Sequence, residues 1–217
     1  MSQAVTFKRE AMDRSTRWAK ICVDEPRNPG QAVFGIVQGG TDLDRRREHL
    51  EALAELGTEG LALGGLAVGE GPEEMDRVVS AIAPEMPADR PRYLMGVGYP
   101  RDLVASVRNG IDLFDCVVPT RHARNGQLFT WEGRLNIANS RFRLDDAPPD
   151  PTCDCATCTR FSRSYLRHLY GAKEILYSIL ATQHNLRFYQ RLMRQMREAI
   201  LARDAPLLTE LLGKAPS

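Results

Sequence analysis

Four short apolar runs alternate with helix-type segments over the first 118 residues, and this alternation constrains the fold more than any other feature of the chain. AVFGIVQGG (32–40), GLALGG (60–65), PRYLMGV (91–97) and DLFDCVV (112–118) read as strands. TDLDRRREHLEALAEL (41–56), PEEMDRVVSAIA (72–83) and PRDLVASVRN (100–109) read as the helices between them. Thr41 is placed to cap the first, with Asp44 three residues on and Gly57 as its stop; Pro72 and Pro100 take first helical positions. A further helix over 8–23 sets Met12, Ser15, Trp18, Ala19 and Cys22 on one face. Strand–helix alternation with short connections predicts an α/β fold, with parallel strands covered by helices.

In such folds ligands sit at the carboxyl edge of the sheet. Gln38, Gly64, Gly65, Gly96 and Asp115 all fall at or near that edge. Asp115 interrupts the apolar run LF-CVV, and a charge buried in a strand costs several kcal/mol unless compensated. Facing a polar pocket at the mouth of the sheet would remove that cost. A carboxylate kept ionised by its surroundings can act as a nucleophile, and glycosyl transfer uses one to form a covalent sugar–enzyme intermediate. For this residue alone, pairing with Arg121 or capping a turn is the simpler account. The glycine-rich stretches VQGGT and LGGLAVGEG fit neither a dinucleotide nor a P-loop pattern. They suit tight turns, and the Gln38 amide or the backbone of 64–66 can read the amide edge of a heterocycle.

The rest of the chain has a different texture. QLFTWEGRLNIAN (127–139) reads as a hairpin turning at Glu132 and Gly133, and DDAPPDPT follows as a loop. Residues 161–203 are mostly helical, with an apolar stripe of Leu166, Leu169, Leu176, Ile179, Leu180, Leu186, Tyr189, Leu192, Met193, Met196 and Ile200. Three of the five cysteines, Cys153, Cys155 and Cys158, lie within CDCATC. No run approaches the ~18 apolar residues of a membrane span, and MSQAVTFKRE has no apolar signal core. The expected compartment is the cytoplasm, where such a cluster points to a metal rather than to disulfides. Zinc takes four N/S ligands in a closed structural site. The fourth is His184, at an expected helix break in ATQHN, in preference to His168 on a continuous helix; reduced free thiols are the alternative. Cys22 and Cys116 read as apolar core residues.

Net charge is +1, unevenly spread. Residues 48–89 hold ten acidic groups against one basic, and residues 160–203 hold nine basic against two acidic. A basic region suits a polyanionic partner, although on charge alone a solvated helix face explains it better.

Taken in order, FGIVQGG, GGLAVGEG, RYLMGVGYPRDLV, GIDLFDCVVPTRHARNGQLFT and CDCATC…SRSYLRHL…TQHN resemble the tRNA-guanine transglycosylases, or queuine tRNA-ribosyltransferases, over residues 11–203. The resemblance implies the second half of a TIM-type (β/α)8 barrel over 1–126, a hairpin, zinc-binding subdomain and closing helices over 127–203, and a C-terminal tail over 204–217. It implies exchange of the wobble guanine of GUN-anticodon tRNAs for a 7-deazaguanine, the bacterial-type preQ1 on account of Val68. Asp115 matches the nucleophile, and Gln38, Gly65, Leu66 and Met95 match the base pocket. Gly96, Gly98 and Asp102, with Thr120, Arg121 and Arg124, match RNA-contacting segments, where His122 departs from the family's small or amide residues. Cys153, Cys155, Cys158 and His184 match the ligands of one structural zinc. The family's proton-transferring aspartate and its second base-binding aspartate match nothing here, and a full barrel needs about 250 residues. The expected partners are therefore a tRNA anticodon loop, a guanine or 7-deazaguanine base, and either a second copy or a separate N-terminal half. The alternatives are a zinc-stabilised tRNA-binding subunit or inactive paralogue and, more weakly, a zinc hydrolase, which a closed ligand set disfavours.

Overall fold

The computed structural model describes residues 3–66 and 68–216. The chain divides into two units, one holding residues up to Val97 with Ala105–Asp115, the other Gly98–Val104 with everything from Cys116 onward.

The first unit is built on the expected parallel sheet. β1 (Phe34–Val37), β2 (Gly60–Leu63), β3 (Arg92–Leu94) and β4 (Leu113–Phe114) lie in sequence order, all parallel. The connecting helices are α2 (Leu43–Ala54), α3 (Pro72–Ile82) and α4 (Pro100–Arg108), of which only the part from Ala105 counts in this unit, with α1 (Gln3–Asp24) before β1. Every residue of β2 is buried, as suits a central strand covered by helices. Val37, Leu61, Leu63 and Leu94 pack with Leu50 and Leu53 of α2 and Val78, Val79 and Ile82 of α3. Each such side chain contributes about 1.5–3 kcal/mol by leaving water. One glycine matters for the site. A Cβ at Gly60 would lie 2.3 Å from the Phe34 ring, so the bare backbone lets that ring cross β2 and meet Tyr93 edge-on, centroids 6.2 Å apart.

Several local expectations shift. Asp42, not Thr41, caps α2: its extended backbone lets the carboxylate accept the Arg45 N–H at 3.3 Å. Pro72 does open α3, but the helix tightens into a 3-10 turn over Ala83–Glu85 that includes Pro84. The fourth strand is only two residues long, and Val118 starts a helix, α5 (Val118–Arg124), with Pro119 in its first turn. Asp115 therefore lies just past the strand, exposed, and not inside it. On α1, Met12 is buried, but Trp18 is 60% exposed. Cys22 is exposed and Cys116 half-buried, so neither is the core residue expected.

The second unit packs α5 and the hairpin β5 (Gln127–Thr130) and β6 (Gly133–Asn136) on long helices. α5 thus falls in this unit, although the sequence grouped it with the first. α6 (Ala156–Arg160), α7 (Arg163–Gly171), α8 (Ile175–Leu201) and α9 (Ala205–Lys214) follow, so the stretch expected as a tail carries a capped helix. α8 runs unbroken for 27 residues, and His184 sits in its interior, not at a break. ATQHN has no glycine or proline to stop a helix, and Ala181, His184, Asn185 and Phe188 share its buried face. Of the expected stripe, Leu166, Leu169, Leu180, Tyr189, Leu192 and Met196 are buried, whereas Leu176, Ile179, Leu186 and Ile200 face outward. The expected stripe is out of phase because two polar residues hold the buried face. Asn185 is fully buried; its Oδ1 accepts the Phe129 N–H at 3.0 Å, and its Nδ2 donates to Pro119 O at 2.9 Å and Gln127 O at 3.0 Å. Among the described residues no helix is long and apolar enough to cross a membrane.

Candidate functional site

Parallel strands end at one edge, and there the first unit opens a cleft of about 320 Å3 lined by Ile36, Gln38, Gly64, Gly65, Leu66, Met95, Gly96 and Asp115. The four expected base-pocket residues and the expected nucleophile thus meet in one cavity, together with Gly96. Gly64 and Gly65 leave room for the Gln38 amide: a Cβ would come 3.1 Å from its Nε2 at the first and 3.0 Å from its Oε1 at the second.

Asp115 is held by two donors within this unit. The Tyr93 hydroxyl donates to its Oδ1 at 2.6 Å and the Gly96 N–H to the same oxygen at 2.9 Å. These bonds, Tyr93 first, hold the carboxyl below its ordinary range, while Asp115 in turn pushes the Tyr93 hydroxyl up to about 12. These neutral donors keep the carboxylate ionised at neutral pH. Tyr93 does not stand out in the sequence; its position on β3, two residues before Met95, is the only trace.

Two further residues that sequence reasoning missed shape the cleft. Arg46 is fully buried, and its guanidinium donates to the carbonyls of Gly40 at 2.6 Å, Val37 at 3.3 Å and Gly64 at 3.0 Å. It ties the ends of β1 and β2 together around Gln38. Burial lowers its pKa to about 10, opposed by Glu70, so it stays charged at neutral pH. One turn on, His49 Nδ1 accepts the Gln38 N–H at 2.8 Å, which leaves Nε2–H to donate to Thr16 Oγ1 at 3.0 Å. Burial pushes this imidazole down, which favours the neutral form that this tautomer requires. The clue lay in helical phase: Leu43, Arg46, Leu50 and Leu53 share the face that packs inward. An Arg46→Met substitution keeps volume but strips three carbonyls of their donor. It is expected to cost about 3 kcal/mol and lower Tm by about 10 °C; a wild-type melting curve would sink this account.

The expected RNA-contacting residues fare unevenly. Gly96 lines the cleft, but Gly98 is buried: its carbonyl accepts the Tyr189 hydroxyl at 2.6 Å, and a Cβ there would lie 2.1 Å from Cys116 Sγ. Asp102 and Thr120 are half-buried, and Thr120 Oγ1 donates to Val117 O at 3.3 Å. Arg121 and Arg124 are exposed one turn apart on α5. His122 links two segments of the second unit. Its Nδ1 bonds Gln127 Oε1 at 2.5 Å, its Nε2 bonds the Tyr99 hydroxyl at 3.3 Å, and the Tyr99 ring meets it edge-on.

The second unit holds the metal centre. The ligand atoms of Cys153, Cys155, Cys158 and His184 lie within 4.8 Å of one another and can hold one metal ion. His184 Nε2 donates to Phe129 O at 2.8 Å, so Nδ1, 3.2 Å from Cys158 Sγ, carries the lone pair toward the sulfurs. His168 is exposed on α7 and takes no part. Hydrogen bonding between Cys155 and Cys158 pulls the first thiol down and pushes the second up. Burial alone would push His184 down, yet bonds to Cys153, Cys155 and Phe129 O draw it up to about 9. The sulfurs therefore demand positive charge in a buried place, which a dication supplies. Three sulfurs and one imidazole make a tetrahedral donor set that suits zinc and leaves no position for a substrate.

Fold and site together define an α/β protein with a base-sized cleft, one poised carboxylate at its mouth and a closed Cys3His metal centre. The profile of the family described as Queuine tRNA-ribosyltransferase matches residues 4–212, and the chain belongs to that family. Similar proteins, each named Queuine tRNA-ribosyltransferase, include those of Psychrobacter cryohalolentis (54% identical over 199 residues, 88% of this chain and 52% of the relative) and Herpetosiphon aurantiacus (52% over 195 residues, 90% and 50%). That of Pseudomonas aeruginosa is 55% identical over 192 residues, 88% of this chain and 52% of the relative. The chain spans about half the length of the curated relatives it matches, their C-terminal portion.

Proposed function

We propose that this chain supplies the nucleophile, the base pocket and part of the RNA surface of a tRNA-guanine transglycosylase. The observation that carries this reading is the ionised Asp115 at the mouth of a cleft walled by the Gln38 amide and the backbone of Gly64 and Gly65. The wobble guanine leaves its stack and enters the cleft. Tyr93 and Gly96 occupy Asp115 Oδ1, which leaves Oδ2 to attack C1′ of the ribose. The C1′–O bond forms as the C1′–N9 bond breaks, and guanine departs with that electron pair and takes a proton from an acid. The incoming preQ1-type base loses its N9 proton, attacks C1′ and releases the carboxylate. Gln38 and Gly65 orient both bases, and Leu66 and Met95 line the pocket. Thr120, Arg121 and Arg124, with Gly98 and Asp102 shaping the adjoining segment, engage the anticodon loop.

No carboxylate here matches the family's proton-transferring aspartate, so that step belongs to the part of the family's length this chain does not span. The four strands fit half of a (β/α)8 barrel with a zinc-bearing insertion. Among the described residues β1 and β4 each have strand partners on one side only, and open edges invite pairing. A complementary half barrel or a second copy would cover them. Zinc held by Cys153, Cys155, Cys158 and His184 acts structurally, and the site of action is the cytoplasm.

The test is incorporation of labelled guanine into tRNA with a GUN anticodon. The metal-loaded chain is assayed alone and with the N-terminal portion of a curated relative supplied separately. Exchange is expected once the second portion is present. RNA retention without exchange in both cases would instead favour the non-catalytic tRNA-binding subunit.

A further inference from the structure

Away from the cleft and the metal ligands, the second unit carries another cavity, of about 400 Å3, against the β5–β6 hairpin. Arg134, Arg141 and Arg163 line it, with Glu132, Asp145 and Phe142. The Arg141 guanidinium lies over the Phe142 ring, 4.5 Å from its centroid, and that of Arg163 lies 5.7 Å from the same centroid. Two cations therefore share one buried ring. Asp145 pairs directly with only one of them and acts on Arg141 from farther off: its Oδ2 meets Arg163 at 3.2 Å and its Oδ1 accepts the Ala147 N–H at 2.9 Å. Arg163 is further fixed by Pro149 O at 3.1 Å, and its buried Nε–H has no partner. Arg134 and Arg141 are exposed and make no ion pair among the described residues. Stacking on Phe142 holds the Arg141 plane, so its N–H edge is preset for a two-oxygen acceptor. The acids of the cavity are Asp145, whose direct partner is Arg163, and the exposed Glu132.

The geometry points to an anion subsite in this cavity that takes a phosphodiester of the RNA backbone through Arg134 and Arg141, with Arg163 as its fixed floor. It rests on the reading that the chain binds tRNA, but lies on different residues from the segments at 96–102 and 120–124. A phosphodiester fits because the two exposed guanidiniums lie beside an open polar cavity. Bonds to backbone phosphate also add affinity without reading sequence.

The experiment titrates a fluorescent anticodon stem-loop RNA with the full metal-loaded chain across about 50 to 200 mM salt. Each phosphate that a variant no longer neutralises lowers the slope of log K against log salt by about 0.7–0.9. The double variant Arg134→Gln/Arg141→Gln is expected to lower it by about 1.5 and to weaken binding about tenfold at low salt. Glu132→Gln should tighten binding. Arg194→Gln/Arg197→Gln, an equal change of charge on the exposed face of α8, should do less. An unchanged slope for the cavity variant, or an equal weakening for the α8 variant, overturns the subsite while leaving tRNA binding intact. Failure of the unaltered chain to bind the RNA at all overturns both.

Discussion

On the function proposed above, and with the N-terminal portion supplied, an Asp115→Asn substitution is expected to lower base exchange by about 10^4-fold or more and to abolish the covalent RNA adduct, with RNA affinity changed only a few-fold. The amide keeps the shape of the carboxylate and an oxygen to accept from Tyr93 and Gly96, so the strand end stays in place. It lacks the charge and the nucleophilic oxygen. A purely structural Asp115 predicts the reverse pattern: exchange largely kept, stability reduced. Tyr93→Phe separates the two roles further. The bonds from Tyr93 and Gly96 depress the carboxyl from its ordinary 3.8. A depressed carboxyl stays ionised, and whatever stability its bonds lend is present, above the ordinary value; both fade as pH falls through the lowered one. The acid limb of exchange should therefore lie below the ordinary carboxylate range. Removing the Tyr93 hydroxyl should move that limb upward and leave the rate at neutral pH little altered. An acid limb that does not move would sink the claim that Tyr93 sets the charge of Asp115.

What could be read from the sequence follows from which signals are local. Strand–helix alternation is local, so the parallel sheet was legible, and parallel strands necessarily bring Gln38, Gly65, Gly96 and Asp115 to one edge. Cysteine spacing is local as well, and so were Cys153, Cys155 and Cys158. The residues that escape such a reading take their meaning from packing. Arg46 and His49 look like surface charges on an exposed helix until the ends of β1 and β2 prove to need a donor for their carbonyls and an acceptor for the Gln38 N–H. Tyr93 is an ordinary strand aromatic unless Gly60 allows Phe34 to brace it. The valines of CVV have strand propensity, but Pro119 and the burial of Ala123 draw Val118 into α5. His184 is the right residue for a different local reason than the one its sequence suggests. It lies in an unbroken helix and reaches the cysteines because Ala181 and Asn185 turn that face inward.

Loss of the metal should affect the second unit far more than the first. A ligand atom of α8 meets three from the loop and short helix at 153–158, and the same turn of α8 holds β5 and α5 through the His184 bond to Phe129 O and the three bonds of Asn185. Without a cation these sulfurs and the imidazole must share protons in a buried place, where charge is unfavourable. Structural zinc sites in small peptides contribute about 10–16 kcal/mol of apparent binding energy, comparable to the whole stability of a domain, about 5–15 kcal/mol. Chelation, or Cys158→Ser, is therefore expected to release about one metal ion per chain and to melt the hairpin and its helices. Tryptophan emission reports this selectively, because the chain has two tryptophans in different settings. Trp18 is already 60% exposed, whereas the Trp131 ring lies 5.0 Å from that of Phe188. A red shift with loss of near-ultraviolet dichroism should accompany chelation, and added zinc should reverse both. A Cys22→Ser change, at an exposed thiol outside the centre, should do neither. If the chelated chain kept its Trp131 emission and its melting temperature, the four residues would be a reduced thiol cluster rather than the pin that fixes α8 to the hairpin.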